Sequence, residues 1–232
     1  LMFTGAAVGL SGGLAAQPAR AQSLASAAKA MAPGRLHGLF PIAFTPVDAN
    51  DKIYMDALAG QVKFCQRGGV PGIAWPQIAS GWTVLSESER MAGAEAMLDA
   101  GKGGKTAVAI GLQSPDWAAV QRYAKHAEAH GAGAVLCIPP SDITAEAGLL
   151  TYYQRVGGLT SKPLIVQAVG NFSIDLLVKI YETVPTARYV KDESGEPLDR
   201  AQEIIRRTGG DMGVWSGRGV ATMVTEMERG FT

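Results

Sequence analysis

Ala187-Arg188-Tyr189-Val190-Lys191-Asp192-Glu193-Ser194-Gly195 is the stretch whose reading decides the fold. Ala187 to Lys191 reads as a short strand with a lysine at its C-terminal end, and Asp192 to Gly195 as the polar turn after it. The unprotonated amine of a lysine so placed can attack a carbonyl carbon. The plain structural alternative is a lysine paired with Asp192 or Glu193 at a strand end.

The same unit repeats on both sides of this stretch. Downstream, a helix over Asp199 to Arg207 precedes a strand over Met212 to Trp215, and a last helix runs from about Val220 to Arg229. Upstream, strands are predicted at Leu39–Thr45, Gly72–Trp75, Thr106–Ile110, Ala134–Ile138 and Pro163–Ala168. Helices fall between them at Ile53–Gln66, from the Ser86-Glu87-Ser88-Glu89 capping box to Gly101, from Ser114-Pro115 (N-cap and N1) to His130, at Ala145–Val156 and at Ser173–Thr183. The strands are continuous apolar runs rather than alternating ones, as in parallel sheets covered on both faces. Regular strand-helix repetition leaves a doubly wound sheet or an eight-stranded barrel. No Gly-x-Gly-x-x-Gly follows the first strand, which weakens the dinucleotide-binding alternative. The fold class is therefore α/β, a TIM (β/α)8 barrel with about seven strand-helix units in this chain. Gly230-Phe231-Thr232 stand where an eighth strand is due, so the barrel is expected to be incomplete at its C-terminal end, with open parallel edges.

The 232 residues, 47% of them hydrophobic, suit one domain, placed at 34–232. With 21 basic and 21 acidic residues there is no charge argument for nucleic acid or an anionic membrane as partner. Met2 to Ala16 is small and apolar, and Ala19-Arg20-Ala21 has the A-x-A pattern of a signal-peptidase site. The run is too short to span a bilayer. Residues 1–33 are thus expected to be an export signal and flexible lead-in, cleaved after Ala21, giving a periplasmic or secreted protein; a disordered Ala/Gly tail is the alternative. Cys65 and Cys137 fall on a predicted helix and a predicted buried strand; in an exported protein they could pair, but with neither in a loop they are read as buried free thiols.

In such barrels the active site lies at the C-terminal ends of the strands. Of the nine lysines, Lys105 and Lys162 precede strands, and Lys29, Lys52, Lys63, Lys102, Lys125 and Lys179 fall in the lead-in, turns or helices. Lys191 alone closes an apolar strand at the catalytic end.

Four segments carry a resemblance: Gly38-Leu-Phe-Pro-Ile-Ala-Phe-Thr-Pro46, Leu85-Ser-Glu-Ser-Glu-Arg90, Ile138-Pro-Pro140 and Val190-Lys-Asp-Glu-Ser-Gly195. In this order, over about Gly38 to Thr232, they resemble the dihydrodipicolinate synthase / N-acetylneuraminate lyase family, whose lysine segment reads I-K-D-x-S-G. The resemblance implies a TIM barrel, usually tetrameric. It also implies a class I lyase or aldolase mechanism, with Lys191 of the sixth predicted strand forming a Schiff base with pyruvate or another 2-oxo acid and no cofactor. The departures are equally specific. The family's G-G-T-T-G-E corresponds to Pro76–Gly81, so Ile78-Ala79 replace two threonines and Ser80 substitutes only if the loop shifts by a residue. Ser141-Asp142 stand where the family has Y-Y after its two prolines. Gln167-Ala168 stand where it has the Y-N that supplies the relay tyrosine, and Phe172 where synthases have an arginine.

Candidate replacements follow from position. Tyr189, two residues before Lys191, shares its strand face and is the candidate proton shuttle, with core filling as the alternative. Arg218, after the seventh predicted strand, is a candidate carboxylate clamp, with a solvated arginine at the start of the next helix as the alternative. Gln167, Ser80, Thr45 and Asp142 complete the substrate-binding candidates. Trp75, Trp82 and Trp215 either line an aromatic or apolar pocket or pack loops. His126 and His130 have i, i+4 spacing, but no third ligand is evident, and no metal is expected. Two functions remain: a Schiff-base lyase on a 2-oxo acid, or a non-catalytic exported barrel binding a small carbonyl or carboxylate compound.

Overall fold

A computed structural model describes residues 35–232; the expected export signal and its cleavage site lie outside the described residues. Six parallel strands form one sheet in sequential order. They are β1 (Gly72–Trp75), β2 (Ala107–Gly111), β3 (Ala134–Cys137), β4 (Leu164–Ala168), β5 (Ala187–Asp192) and β6 (Gly213–Ser216). Around them run α1 (Met55–Arg67), α2 (Glu87–Gly101), α3 (Trp117–Ala129), α4 (Glu146–Gly157), α5 (Ile174–Thr183), α6 (Pro197–Arg207) and α7 (Met223–Glu228). Sequential order with a helix after each strand is the wall of a (β/α) barrel, not a doubly wound sheet with a reversal point.

The strand expected at Leu39–Thr45 is reduced to a bridge. Ile42 pairs with Ala74, and the flanking bonds are Ala43 N to Ala74 O (2.9 Å) and Ala74 N to Pro41 O (3.0 Å). Pro41 and Pro46 bracket the stretch and carry no N–H, so the ladder cannot extend past them. Lys191 therefore lies on β5, the sixth predicted strand. At the other edge Thr232 pairs with Val214 in both directions, N to O at 3.0 Å and Oγ1 from N at 2.8 Å.

The start of α3 also shifts. Asp116, not Ser114, is the N-cap: its carboxylate accepts from Ala118 N (2.9 Å) and Ala119 N (3.2 Å), whereas Ser114 Oγ accepts from Asp116 N (3.1 Å). An acidic cap satisfies two orphan N–H groups and complements the helix dipole. The Ser86 capping box forms as read, with Ser86 N donating to Glu89 Oε2 at 2.8 Å and Glu89 N to Ser86 Oγ at 3.2 Å.

Strand alternation sorts the side chains into two layers. Ile73, Trp75, Val108, Ile110, Val135, Leu164, Val166, Val190 and Val214 pack outward against the helices in the main core. Ala74, Ala109, Ala134, Leu136, Ile165 and Tyr189 form a second cluster on the inner face, with Leu36, Ile42 and Trp215 against it. The inner residues nearest β1 are alanines, and Tyr189 fills the space opposite; a Cβ on Gly213 would lie 2.5 Å from the Tyr189 ring. Cys65 and Cys137 are buried free thiols, as read, and burial pushes the Cys137 thiol up to about 12.

Candidate active site

The register across the C-terminal ends of three strands builds the site. Gln167 of β4 pairs with Lys191 of β5, and Lys191 with Trp215 of β6. One layer below, Ile165 pairs with Tyr189 and Tyr189 with Gly213. Because Ile165 and Tyr189 face the barrel interior, so do Gln167 and Lys191 two residues later. The rim layer is therefore Gln167, Lys191 and Trp215.

Lys191 meets a carboxylate there. Its Nζ lies 2.7 Å from Glu193 Oε1, with the lysine and glutamate side chains 19% and 26% exposed. The other carboxylate oxygen, Oε2, accepts from Gln167 Nε2 at 2.7 Å. Glu193 N continues the ladder by donating to Ala168 O at 2.9 Å, and its side chain lies against Gly217, where a Cβ would come 2.1 Å from Glu193 Cγ. The carboxylate is thus held between a lysine and an amide on adjacent strands. A carboxylate only accepts, so the amide turns its nitrogen to Glu193. Gln167 Oε1 is left buried and without a hydrogen-bond partner among the described residues. An acceptor buried without a partner next to an ion pair is a place for a donor brought by a ligand or water.

Asp192, next to the lysine, has a different task. It is fully buried on the outer face, where Oδ2 accepts from Arg200 Nε (2.8 Å) and Oδ1 from Ser194 N (3.0 Å). Arg200 also donates to Phe172 O at 2.7 Å. These bonds fix the turn after β5 to α6 and to the loop after β4, and so set the direction in which Glu193 projects. Tyr153, from α4, anchors the neighbouring strand ends: its hydroxyl lies 3.0 Å from Cys137 O and 3.1 Å from Gln167 O. Complete burial raises its pKa well above that of a free phenol, so the hydroxyl stays protonated.

The other sequence candidates are dispersed. Tyr189 shares the interior face with Lys191, but its ring stacks on Trp215 (5.1 Å between centroids) and its hydroxyl accepts from Leu36 N at 2.9 Å. Leu36 precedes the first predicted strand, so this hydroxyl points toward the opposite end of the barrel from the rim. Arg218 donates to Gly195 O at 3.0 Å and stands 3.8 Å from Glu196, about half exposed. Asp142 is exposed in the turn after the two prolines. Ser80 and Thr45 are brought together with Trp75: Ser80 Oγ donates to Ala43 O (2.6 Å), Thr45 Oγ1 to Ser80 O (2.7 Å), and Trp75 Nε1 to Thr45 Oγ1 (2.9 Å). Both hydroxyls are committed to holding the loop after β1. Trp75 packs outward, where a Cβ on Gly93 of α2 would lie 2.4 Å from its ring, so the three tryptophans do not line one pocket.

Glu193 carries the functional geometry that the sequence reading weighed only as a structural partner. Its signal was available: it is the one acidic residue two positions past the lysine on the same alternating face. The buried amides of Gln77 and Gln113 were not legible. Both donate to Pro76 O, at 2.9 and 2.7 Å, and occupy the rim next to β1 and β2.

The Dihydrodipicolinate synthetase family matches residues 35–232. The chain belongs to this family. Its curated relatives include an uncharacterized DapA-like lyase of Halobacterium salinarum, 28% identical over 189 residues, 76% of this chain and 61% of that protein. A 4-hydroxy-tetrahydrodipicolinate synthase of Methanococcoides burtonii is 25% identical over 177 residues, 74% of this chain and 59% of that protein. The chain thus spans about three-fifths of the length of these relatives. Among solved structures, dihydrodipicolinate synthase from Rhodopseudomonas palustris superposes with a TM-score of 0.78 at 22% identity, covering 84% of this chain and 68% of that one. The sialic acid aldolase of Ruminococcus gnavus gives 0.74 at 18% identity, covering 82% and 65%. At these identities the structures establish the TIM-barrel fold, of which the six strands are part. Lys191, in the segment that resembles the family's I-K-D-x-S-G, stands near the C-terminal end of β5.

Proposed function

We propose that the protein is a class I, Schiff-base-forming lyase or aldolase acting on pyruvate or another 2-oxo acid, with Lys191 as the nucleophile. The contact of Lys191 Nζ with Glu193 Oε1, 2.7 Å at the catalytic rim, is the observation that carries this reading. A nucleophilic amine needs a neighbouring base to take its proton, and general-base catalysis needs that base within hydrogen-bond reach. Glu193 meets the requirement, and the relay role falls to it rather than to Tyr189.

The steps follow from these positions. Glu193 takes a proton from the Lys191 ammonium, and the amine adds to C2 of the oxo acid. Glu193 returns the proton as water leaves, which yields an iminium. In the cleavage direction the carboxylate then removes the proton of the substrate's C4 hydroxyl. The C3–C4 bond breaks, its electron pair flows into the iminium, and an aldehyde departs from the resulting enamine. Protonation at C3 and hydrolysis free pyruvate and Lys191. Gln167 holds Glu193 in place through Nε2 and offers Oε1 as an acceptor for a substrate hydroxyl.

Synthesis of dihydrodipicolinate fits less well than cleavage or dehydration of another 2-oxo acid, because Ile78-Ala79 occupy the places of the two threonines and Ile78 is exposed. The competing reading, a binding barrel, is favoured by the same ion pair, which satisfies Lys191 without chemistry. Exchange of the C3 protons of pyruvate and other 2-oxo acids in D2O, followed by NMR, separates the two. Enzyme-dependent exchange that Lys191→Arg abolishes supports the lyase; no exchange across the panel supports the binding barrel. Export to the periplasm or beyond rests on Ala19-Arg20-Ala21, and N-terminal sequencing of the fractionated protein is expected to start at Gln22. A tetramer is proposed from the family alone.

A further inference from the structure

Two histidines and a glutamate converge on the outer helical layer, away from the rim. His126 Nε2 lies 2.8 Å from Glu95 Oε1, and His130 Nε2 lies 3.7 Å from the same oxygen. The two imidazoles, one turn apart at the C-terminal end of α3, stack with centroids 4.4 Å apart. Glu95 reaches them from α2, 31 residues earlier than His126. The three donor atoms lie within 4.8 Å of one another. Glu95 is distant in the chain from the histidine pair, and the packing of α2 on α3 brings it to them.

We infer that Glu95, His126 and His130 form a binding site for a divalent first-row metal ion of the zinc type, joining α2 to α3. The donor set is chemically apt: imidazole nitrogen and carboxylate oxygen suit Zn2+, Co2+ and Ni2+ better than Mg2+ or Ca2+. Bonds of about 2.0–2.2 Å in a tetrahedron place donors about 3.4 Å apart. The 2.8 Å pair opens and the 3.7 Å pair closes by well under about 1 Å, and the two imidazole nitrogens, which lie within 4.8 Å of each other, close by up to about 1.4 Å, a movement for side-chain rotation rather than for the helices. His126 is largely buried while Glu95 and His130 are partly exposed, so one side is open for water to complete the coordination. Helices run antiparallel to the strands they follow, so the C-terminal end of α3 lies at the barrel end remote from Lys191. The site is structural: it fastens two outer helices and leaves the rim chemistry alone.

The test uses tag-free, metal-stripped protein titrated calorimetrically with ZnCl2, with the visible absorption of the Co2+ form as a second readout. The chain has three histidines, and His37 serves as internal control. One equivalent per chain is expected, with cobalt bands of low coordination number. His126→Ala, His130→Ala and Glu95→Gln are each expected to weaken binding at least tenfold, and His37→Ala to leave it unchanged. Glu95→Gln keeps size and helix propensity, so its loss of binding is not a loss of fold; circular dichroism checks this. Absence of a one-equivalent site, or a site that survives all three substitutions, overturns the proposal and leaves the cluster as a helix-to-helix hydrogen bond.

Discussion

Replacing Glu193 by glutamine isolates the proton-transfer role from everything else that this side chain does. The amide has the same shape, and its carbonyl can still accept from Gln167 Nε2, as Glu193 Oε2 does at 2.7 Å. Facing Lys191 it then presents an NH2 group, a donor against a donor, and no base. A positioned acid–base group contributes about 10²–10⁴-fold, which is about 2.7–5.4 kcal/mol of barrier at about 1.36 kcal/mol per decade. The same substitution costs less in stability: both partners are largely buried, at 19% and 26% exposure, and leaving Lys191 facing a donor is expected to cost about 1–3 kcal/mol. The two effects therefore separate. Glu193→Gln is expected to remain folded with a single cooperative melt above the assay temperature while its C3-proton exchange of a 2-oxo acid falls at least a hundredfold. Exchange within threefold of the parent would refute Glu193 as the relay.

Other substitutions read out the supporting structure. Tyr189→Phe removes the acceptor of Leu36 N and is expected to cost about 1–2 kcal/mol in urea unfolding while leaving the exchange rate within a few fold, because the hydroxyl points away from the rim. Arg200→Ala leaves the fully buried Asp192 carboxylate without its guanidinium, and about 3–5 kcal/mol of stability is expected to go with it. Gly111→Ala places a Cβ 2.1 Å from Pro76 O, a backbone atom that cannot swing aside, so a loss of about 1–3 kcal/mol or more is expected in the same unfolding assay. Burial holds the Cys137 thiol protonated up to about 12, so at pH 8 it carries no thiolate; thiol reagents are expected to label it only after denaturant is added, as mass spectrometry would show.

The architecture was legible because parallel strands leave a plain trace. The Gly72–Trp75 strand and the Ser86–Glu89 capping box were placed to the residue, since each depends on local chemistry alone. The Leu39–Thr45 stretch was overread: its apolar run satisfies the strand pattern, yet prolines at both ends deny it a ladder. Lys191 could be singled out because the barrel rule needs only the strand end and the side-chain parity. The site beyond it could not. Tyr189 and Lys191 share a face, but only three-dimensional packing reveals that the tyrosine ring stacks on Trp215 and its hydroxyl is taken by Leu36 N. Ser80 and Thr45 have the hydroxyls a substrate needs, and the structure commits both to the loop that carries them. Glu95 and the histidines show the same limit, since a contact between separate helices leaves no spacing to read.

Borohydride reduction in the presence of pyruvate and related 2-oxo acids, followed by peptide mass spectrometry, tests the central claim most directly. An iminium at Lys191 becomes a stable secondary amine, so the account predicts a mass increase on the peptide containing Tyr189-Val190-Lys191, dependent on the oxo acid and absent in Lys191→Arg. No adduct on that peptide across the panel, or an adduct on a different lysine, would contradict it.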